Sequence, residues 1–156
     1  MDARSAGDIV KDLTPMQRAR VAEELYDIVF AHVPMETVLN NADDDIRNRT
    51  VAGIEERFAV EQDEVVQQLL LAYANDRKLE PILLEAITTV TEAGTLSIRS
   101  LLTAGMLINL ILFNATTEVE IKYDSRGHMS WVLNKKTASP ELMKQIWPFK
   151  SDTHEK

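Results

Sequence analysis

Protein chemistry draws on histidines, cysteines, clustered carboxylates and glycine-rich loops, and this sequence holds few of them. It has three histidines, His32, His128 and His154, and no cysteine. No two histidines stand four residues apart, as two ligands on one helical face would, and no HExxH is present, so no metal site is expected. Lack of cysteine removes thiol nucleophiles, thiolate ligands and disulfides together, and it fits a reducing compartment. Asp43-Asp44-Asp45 offers carboxylates to a hard cation. A calcium loop starting at Asp43 would need glycine in its sixth position, where Asn48 stands, and a bidentate glutamate in its twelfth, where Ile54 stands. These acids read instead as the start of a helix, where negative charge complements the dipole.

The five glycines, Gly7, Gly53, Gly94, Gly105 and Gly127, are scattered, and none belongs to GxGxxG or to a Walker loop, so no nucleotide cofactor is expected. Ser97, Ser100 and Ser130 lie outside any GxSxG elbow. The paired acids Glu23-Glu24 and Glu55-Glu56 fall on predicted solvent faces. Asn114-Ala115-Thr116 matches a glycosylation sequon but has no secretion signal before it, so the match reads as coincidence. The residues therefore point away from an enzyme. Trp131 and Trp147 remain as aromatic anchors for the core or for a partner.

The elements that must position these residues belong to a chain of 156 residues with 45% apolar and 27% charged side chains, enough for one compact core. Seventeen Lys and Arg against twenty-five Asp and Glu give a net charge of −8, which repels a phosphate backbone, so nucleic acid is not an expected partner. Residues 101–115 form an apolar run of about fifteen residues, short of the ~20 that a bilayer span needs. A helix buried in protein is expected there rather than a membrane span, and the cytoplasm is the expected location.

Thr14-Pro15 opens a helix that Pro34 ends, with Val21, Leu25, Ile28 and Val29 on its inner stripe and Arg18, Arg20, Glu23, Glu24 and Asp27 outside. A short helical turn over residues 35–39 follows. A helix over 44–58 carries Ile46, Val51, Ile54 and Phe58, and one from Gln62 carries Val65, Val66, Leu69, Leu70 and Tyr73. Pro81 begins a further helix with Ile82, Leu83, Ala86, Ile87 and Val90. The period then changes. Val119, Ile121 and Tyr123 alternate with polar residues, Asp124 to Gly127 form a turn, and Met129, Trp131 and Leu133 alternate again, which is a β-hairpin. Ser139-Pro140 caps a closing helix with Leu142, Met143 and Ile146.

The expected fold is thus α+β: a predominantly α-helical bundle over 14–92, then an apolar helix, a C-terminal two-stranded antiparallel hairpin and a closing helix over 93–147, and a flexible tail over 148–156. The hairpin face of Val119, Ile121, Tyr123, Met129, Trp131 and Leu133 is expected to dock on the apolar helix of residues 96–113 and shelter it, since two strands alone are unstable.

Leu25, Tyr26 and Phe30, then Val38-Leu39, Val65, Leu69 and Leu70, and above all the run YANDRKLEPILLEA from Tyr73 to Ala86 form a helix, a short basic link and a leucine-rich helix. In this pattern residues 17–88 resemble the helical effector-associated domains of bacterial conflict systems, death-like adaptor modules. Gly94-Thr95-Leu96 through Phe113, Thr117 to Lys122, Asp124 to Gly127 and Ser139 to Met143 are similar to the effector-associated constant component of the same systems. The departure is that the basic, Trp-containing helix end often seen there is replaced by Phe113-Asn114-Ala115-Thr116. The resemblance implies a non-enzymatic adaptor that recruits a protein effector or sensor by helix-to-helix association, with self-association open. The mixed-charge patch of Asp43, Asp44, Asp45, Arg47 and Arg49 is the candidate contact surface. The alternatives are a ligand-binding or enzymatic domain with a pocket between bundle and hairpin, and a membrane-associated regulator using residues 101–113.

Overall fold

Ser5 accepts a hydrogen bond from the Asp8 amide and starts α1 (Ala6–Asp12), which buries Ala6 and Val10. This helix is absent from the expected bundle, which began at residue 14; its signal was a serine cap followed by apolar residues at four-residue spacing. The computed structural model describes residues 5–93 and 102–136. Thr14 closes a full capping box with Gln17 at the start of α2 (Pro15–His32), and Pro34 ends it as expected. The helices α3 (Met35–Asn41), α4 (Asp44–Phe58), α5 (Gln62–Ala74) and α6 (Glu80–Ala93) follow where the apolar spacings place them. Val51 is exposed instead of buried, because Thr50, Gly53 and Ile54 form the inner line of α4.

Leu102 and Thr103 lead into α7 (Ala104–Thr116), with the Thr103 hydroxyl accepting from the Met106 amide. The helix begins inside the expected span of 96–113, whose first residues lie outside those described. It is the most deeply set element, burying Leu107, Ile108 and every residue from 110 to 116. Each fully hidden Leu or Ile contributes about 1.5–3 kcal/mol of transfer free energy, so α7 is the main apolar organiser of the chain. It packs against α4, α3, α5 and α2, whereas α2 also lies on α5 and α6. The expectation that the hairpin shelters it is therefore corrected: the helices do so. One buried cluster joins Val10, Leu25, Val29, Leu70 and Leu83 to Leu107, Ile111 and Val119, so the two expected segments supply a common core.

α7 runs without a loop into β1 (Thr117–Tyr123), which pairs antiparallel with β2 (Met129–Lys135) in the register Val119↔Leu133, Ile121↔Trp131 and Tyr123↔Met129. The fold is α+β, a helical bundle with this hairpin. Gly127, at φ 83°, adopts the left-handed conformation that the turn requires. The turn is held by Asp124, whose Oδ1 accepts from the Arg126 and His128 amides. These bonds, led by that from His128, hold the Asp124 carboxyl below its ordinary range. The expected closing helix, Trp147 and the tail lie outside the described residues.

Arg18, expected on the outer face of α2, is 7% exposed. Its Nε and Nη2 donate to the two carboxylate oxygens of Asp63 at 2.9 and 2.8 Å, and its Nη1 donates to the carbonyls of Val10 and Leu13. One side chain thus caps the end of α1 and ties it to the first turn of α5. The Asp63 hydrogen bond holds the guanidinium above its ordinary pKa against the opposing effect of burial. Buried Tyr73 donates its hydroxyl to the Leu110 carbonyl at 2.8 Å and so fastens α5 to α7.

Candidate functional site

The expected contact residues gather on the first two turns of α4. Asp43 is the N-cap, accepting from the Ile46 amide at 2.9 Å. Asp44 pairs with Arg47, and Asp45 lies 3.3 Å from Arg49. The side chains of Asp44, Asp45 and Arg49 are 84%, 71% and 60% exposed, so this patch presents mixed charge to solvent. Such pairs add little to stability but set the charge pattern of this face.

The hairpin forms a second surface, and here the sequence-derived face is only half right. Val119 is buried, and Ile121, Trp131 and Leu133 are partly buried against the core, but Tyr123 is 69% and Met129 40% exposed. The reason is geometric: β1 leaves the end of α7 and advances ~3.3 Å per residue, so its far end passes beyond the bundle. Docking on α7, which β1 contacts as expected, is joined by a second neighbour. The Trp131 ring stacks on His32 at the end of α2, with centroids 4.4 Å apart and planes 2° from parallel. His32, from which no metal site was expected, thus fixes the hairpin. His128 is exposed beside Asp124, and His154 lies outside the described residues.

At the base, Asn41 donates to the Thr117 hydroxyl at 3.1 Å and the Lys136 amide to the Thr116 carbonyl at 2.8 Å. Beside these bonds lies an open cavity of about 290 Å³ lined by Asp76, Lys78, Leu79, Thr117, Glu118, Val119 and Lys136. Lys136 Nζ stands 3.7 Å from Asp76 Oδ2 across it. None of these lining residues was singled out from the sequence as a site, because the α5–α6 link and the strand base meet only in three dimensions. Asn114 is 2% exposed in α7, so the sequon there is closed to modification. Among the described residues no three of His, Asp and Glu are grouped to hold a metal ion, and no helix is long and apolar enough to cross a membrane. Comparison with protein-family models, curated proteins and solved structures finds no match to this chain.

Proposed function

We propose that the chain is a non-enzymatic adaptor of a bacterial conflict or signalling system, acting in the cytoplasm without a cofactor and recruiting a protein effector or sensor. The observation that carries this reading is the far half of the hairpin, which holds an aromatic and a methionine clear of the bundle on a firmly tied base. Tyr and Met are enriched where proteins bind one another, because they offer large contact area next to a polar rim. The exposed charges of Asp44, Asp45 and Arg49 and the half-buried Arg47 on α4 supply a pattern for partner choice through helix-mediated association.

The test is binding between the purified chain and the products of its neighbouring genes, followed by Tyr123→Ala and by the charge reversal Asp45→Lys with Arg49→Glu. Binding that weakens at least about tenfold in either variant supports the reading, as loss of an interface anchor costs ~1–2 kcal/mol or more. Failure of every neighbour to bind, together with a measurable turnover by the chain, overturns it.

A second reading, a small-ligand site, is favoured by the cavity at the hairpin base. Its facing Asp76, Glu118, Lys78 and Lys136 would suit a compact zwitterion. A thermal shift with free amino acids that disappears in Glu118→Gln would support it over the adaptor.

A further inference from the structure

A two-stranded sheet has two open edges, and those of this hairpin differ in charge. The Asp124 amide bonds to the His128 carbonyl at 2.9 Å and the Lys136 amide to the Thr116 carbonyl at 2.8 Å, one at each end of the register. Antiparallel pairing alternates, so even-numbered residues turn their backbone groups inward and odd-numbered ones turn theirs to the edges. On β2 the outward N–H and C=O groups belong to Met129, Trp131, Leu133 and Lys135. Among the described residues no third strand covers them.

A two-fold axis normal to the sheet can pair one strand with its own copy only in registers that set a residue opposite itself. For β1 most such registers oppose like charges. Centred on residue 119, Glu118 meets Glu120; on 120, Glu120 meets itself; on 122, Lys122 meets itself; on 121, Glu120 meets Lys122, and the meeting of Glu118 with Asp124 of the turn offsets that attraction. Like charges directly opposite are destabilising, and they guard that edge. β2 has no such guard. Residues 129–134 are uncharged, and a register centred on Val132 sets Val132 against itself, Ser130 against Asn134, Trp131 against Leu133 and Met129 against Lys135. Val132 and Met129 are already 37% and 40% exposed.

We propose that the chain pairs with a second copy of itself along the outer edge of β2, the two hairpins merging into one continuous antiparallel sheet centred on Val132. The occupant is a second copy because the strand is complementary to itself in this register. The inference goes beyond the adaptor reading and stands without it. Because each chain carries a net charge of −8, the bodies repel at long range and pairing tightens as salt screens them, the reverse of an ion-paired dimer.

Sedimentation velocity over a concentration series, in low and high salt, reads the mass against the 17.6 kDa of one chain. Hydrogen exchange on the same samples reads which amides become protected. The expected result is a concentration-dependent dimer in which the Trp131 and Leu133 amides slow while those of Ile121 and Tyr123 do not. Val132→Lys sets two lysines face to face at the axis but lies across from Glu120 in its own hairpin, so the fold is spared. It should weaken pairing at least about tenfold. A chain that stays single up to about 1 mM, where only ~4 kcal/mol of association would remain, overturns the proposal. So does a dimer whose protected amides lie elsewhere, which decides the matter even if the variant misfolds, or a dimer that a folded Val132→Lys leaves unchanged.

Discussion

Replacing Arg18 with alanine removes, at one position, the bidentate pair with Asp63 and two hydrogen bonds to the end of α1. Breaking a buried ion pair costs ~3–5 kcal/mol when the remaining charge is trapped. Here the survivor, Asp63, has a side chain 39% exposed and recovers water, which lowers the charge part of that loss. The carbonyls of Val10 and Leu13 lose a charged donor as well, at ~1 kcal/mol or more each if they stay dry. The net expectation is a loss of about 2–4 kcal/mol, a large share of the ~5–15 kcal/mol available to a domain of this size. Urea unfolding should show it as a lower midpoint at unchanged slope, and thermal unfolding as a fall of about 5–15 °C. Asp63→Ala should cost at least as much, because it leaves the Arg18 guanidinium, 8% exposed, without its counter-charge. Hydrogen exchange adds the local signature, with the α1 amides losing protection before those of α7. A loss below about 1 kcal/mol for Arg18→Ala, or a clearly smaller loss for Asp63→Ala, would refute the reasoning.

Tyr73→Phe keeps the buried ring but deletes its bond to the Leu110 carbonyl, and equilibrium unfolding should show a loss of about 1 kcal/mol. Burial holds the Tyr73 hydroxyl well above its ordinary pKa, so the folded state favours the neutral phenol. Stability should therefore fall above about pH 10, where the unfolded phenol ionises, and Tyr73→Phe should remove that part of the alkaline loss. Gly127→Ala forces a side chain into a backbone with φ 83°, and, since nothing lies within 4 Å of the added carbon, the cost is the backbone strain of ~1 kcal/mol, read as faster amide exchange in the hairpin with little change in the urea midpoint. Glu24 is held above its ordinary pKa by burial and then by Asp27 and Glu85, so its favourable contribution exists at acid pH and is lost as pH rises through the raised value. Glu24→Gln should accordingly stabilise the chain at neutral pH by a few tenths of a kcal/mol and have no effect at low pH, measured by paired unfolding curves.

Helix positions were legible where apolar spacing and local caps agreed. Thr14-Pro15, Asp43 and Pro34 fix boundaries through bonds or clashes within a few residues, so a linear reading reaches them. Arg18 was not legible, because an arginine on a helix flank looks solvent-facing until α1 and Asp63, 45 residues away, close over it. α1 was missed because seven residues form a marginal helix alone and gain their stability from packing on α5 and α6. In the hairpin, the two-residue alternation told which side chains share a face but not how far the bundle extends beneath them. It therefore predicted Tyr123 and Met129 as well as Val119 to be covered. The patch on α4 was legible because its pairs are local. The His32–Trp131 stack and the cavity at Lys136 were not, because each joins distant parts of the chain.

The direct passage from α7 into β1 links the core to both proposed surfaces. A loop between helix and strand would let the hairpin swing. Here the Thr117 amide still bonds to the Phe113 carbonyl as the backbone turns extended, so the last turn of the buried helix sets the direction of the strand. Asn41 and the Lys136 amide hold the base from two sides, and Trp131 on His32 holds the middle. Beyond that point the Lys122–Ser130 pair and the turn around Asp124 keep the strands together. Pre-organisation of this kind reduces the ordering entropy a binding element loses on contact, because the backbone groups along β2 and the rings at the tip are already set in line. The same rigidity makes the open β2 edge a better template for a matching strand than a mobile hairpin would be. An acidic body with an uncharged edge strand therefore offers a place where two copies could meet without like charges face to face, on a hairpin that the core holds straight.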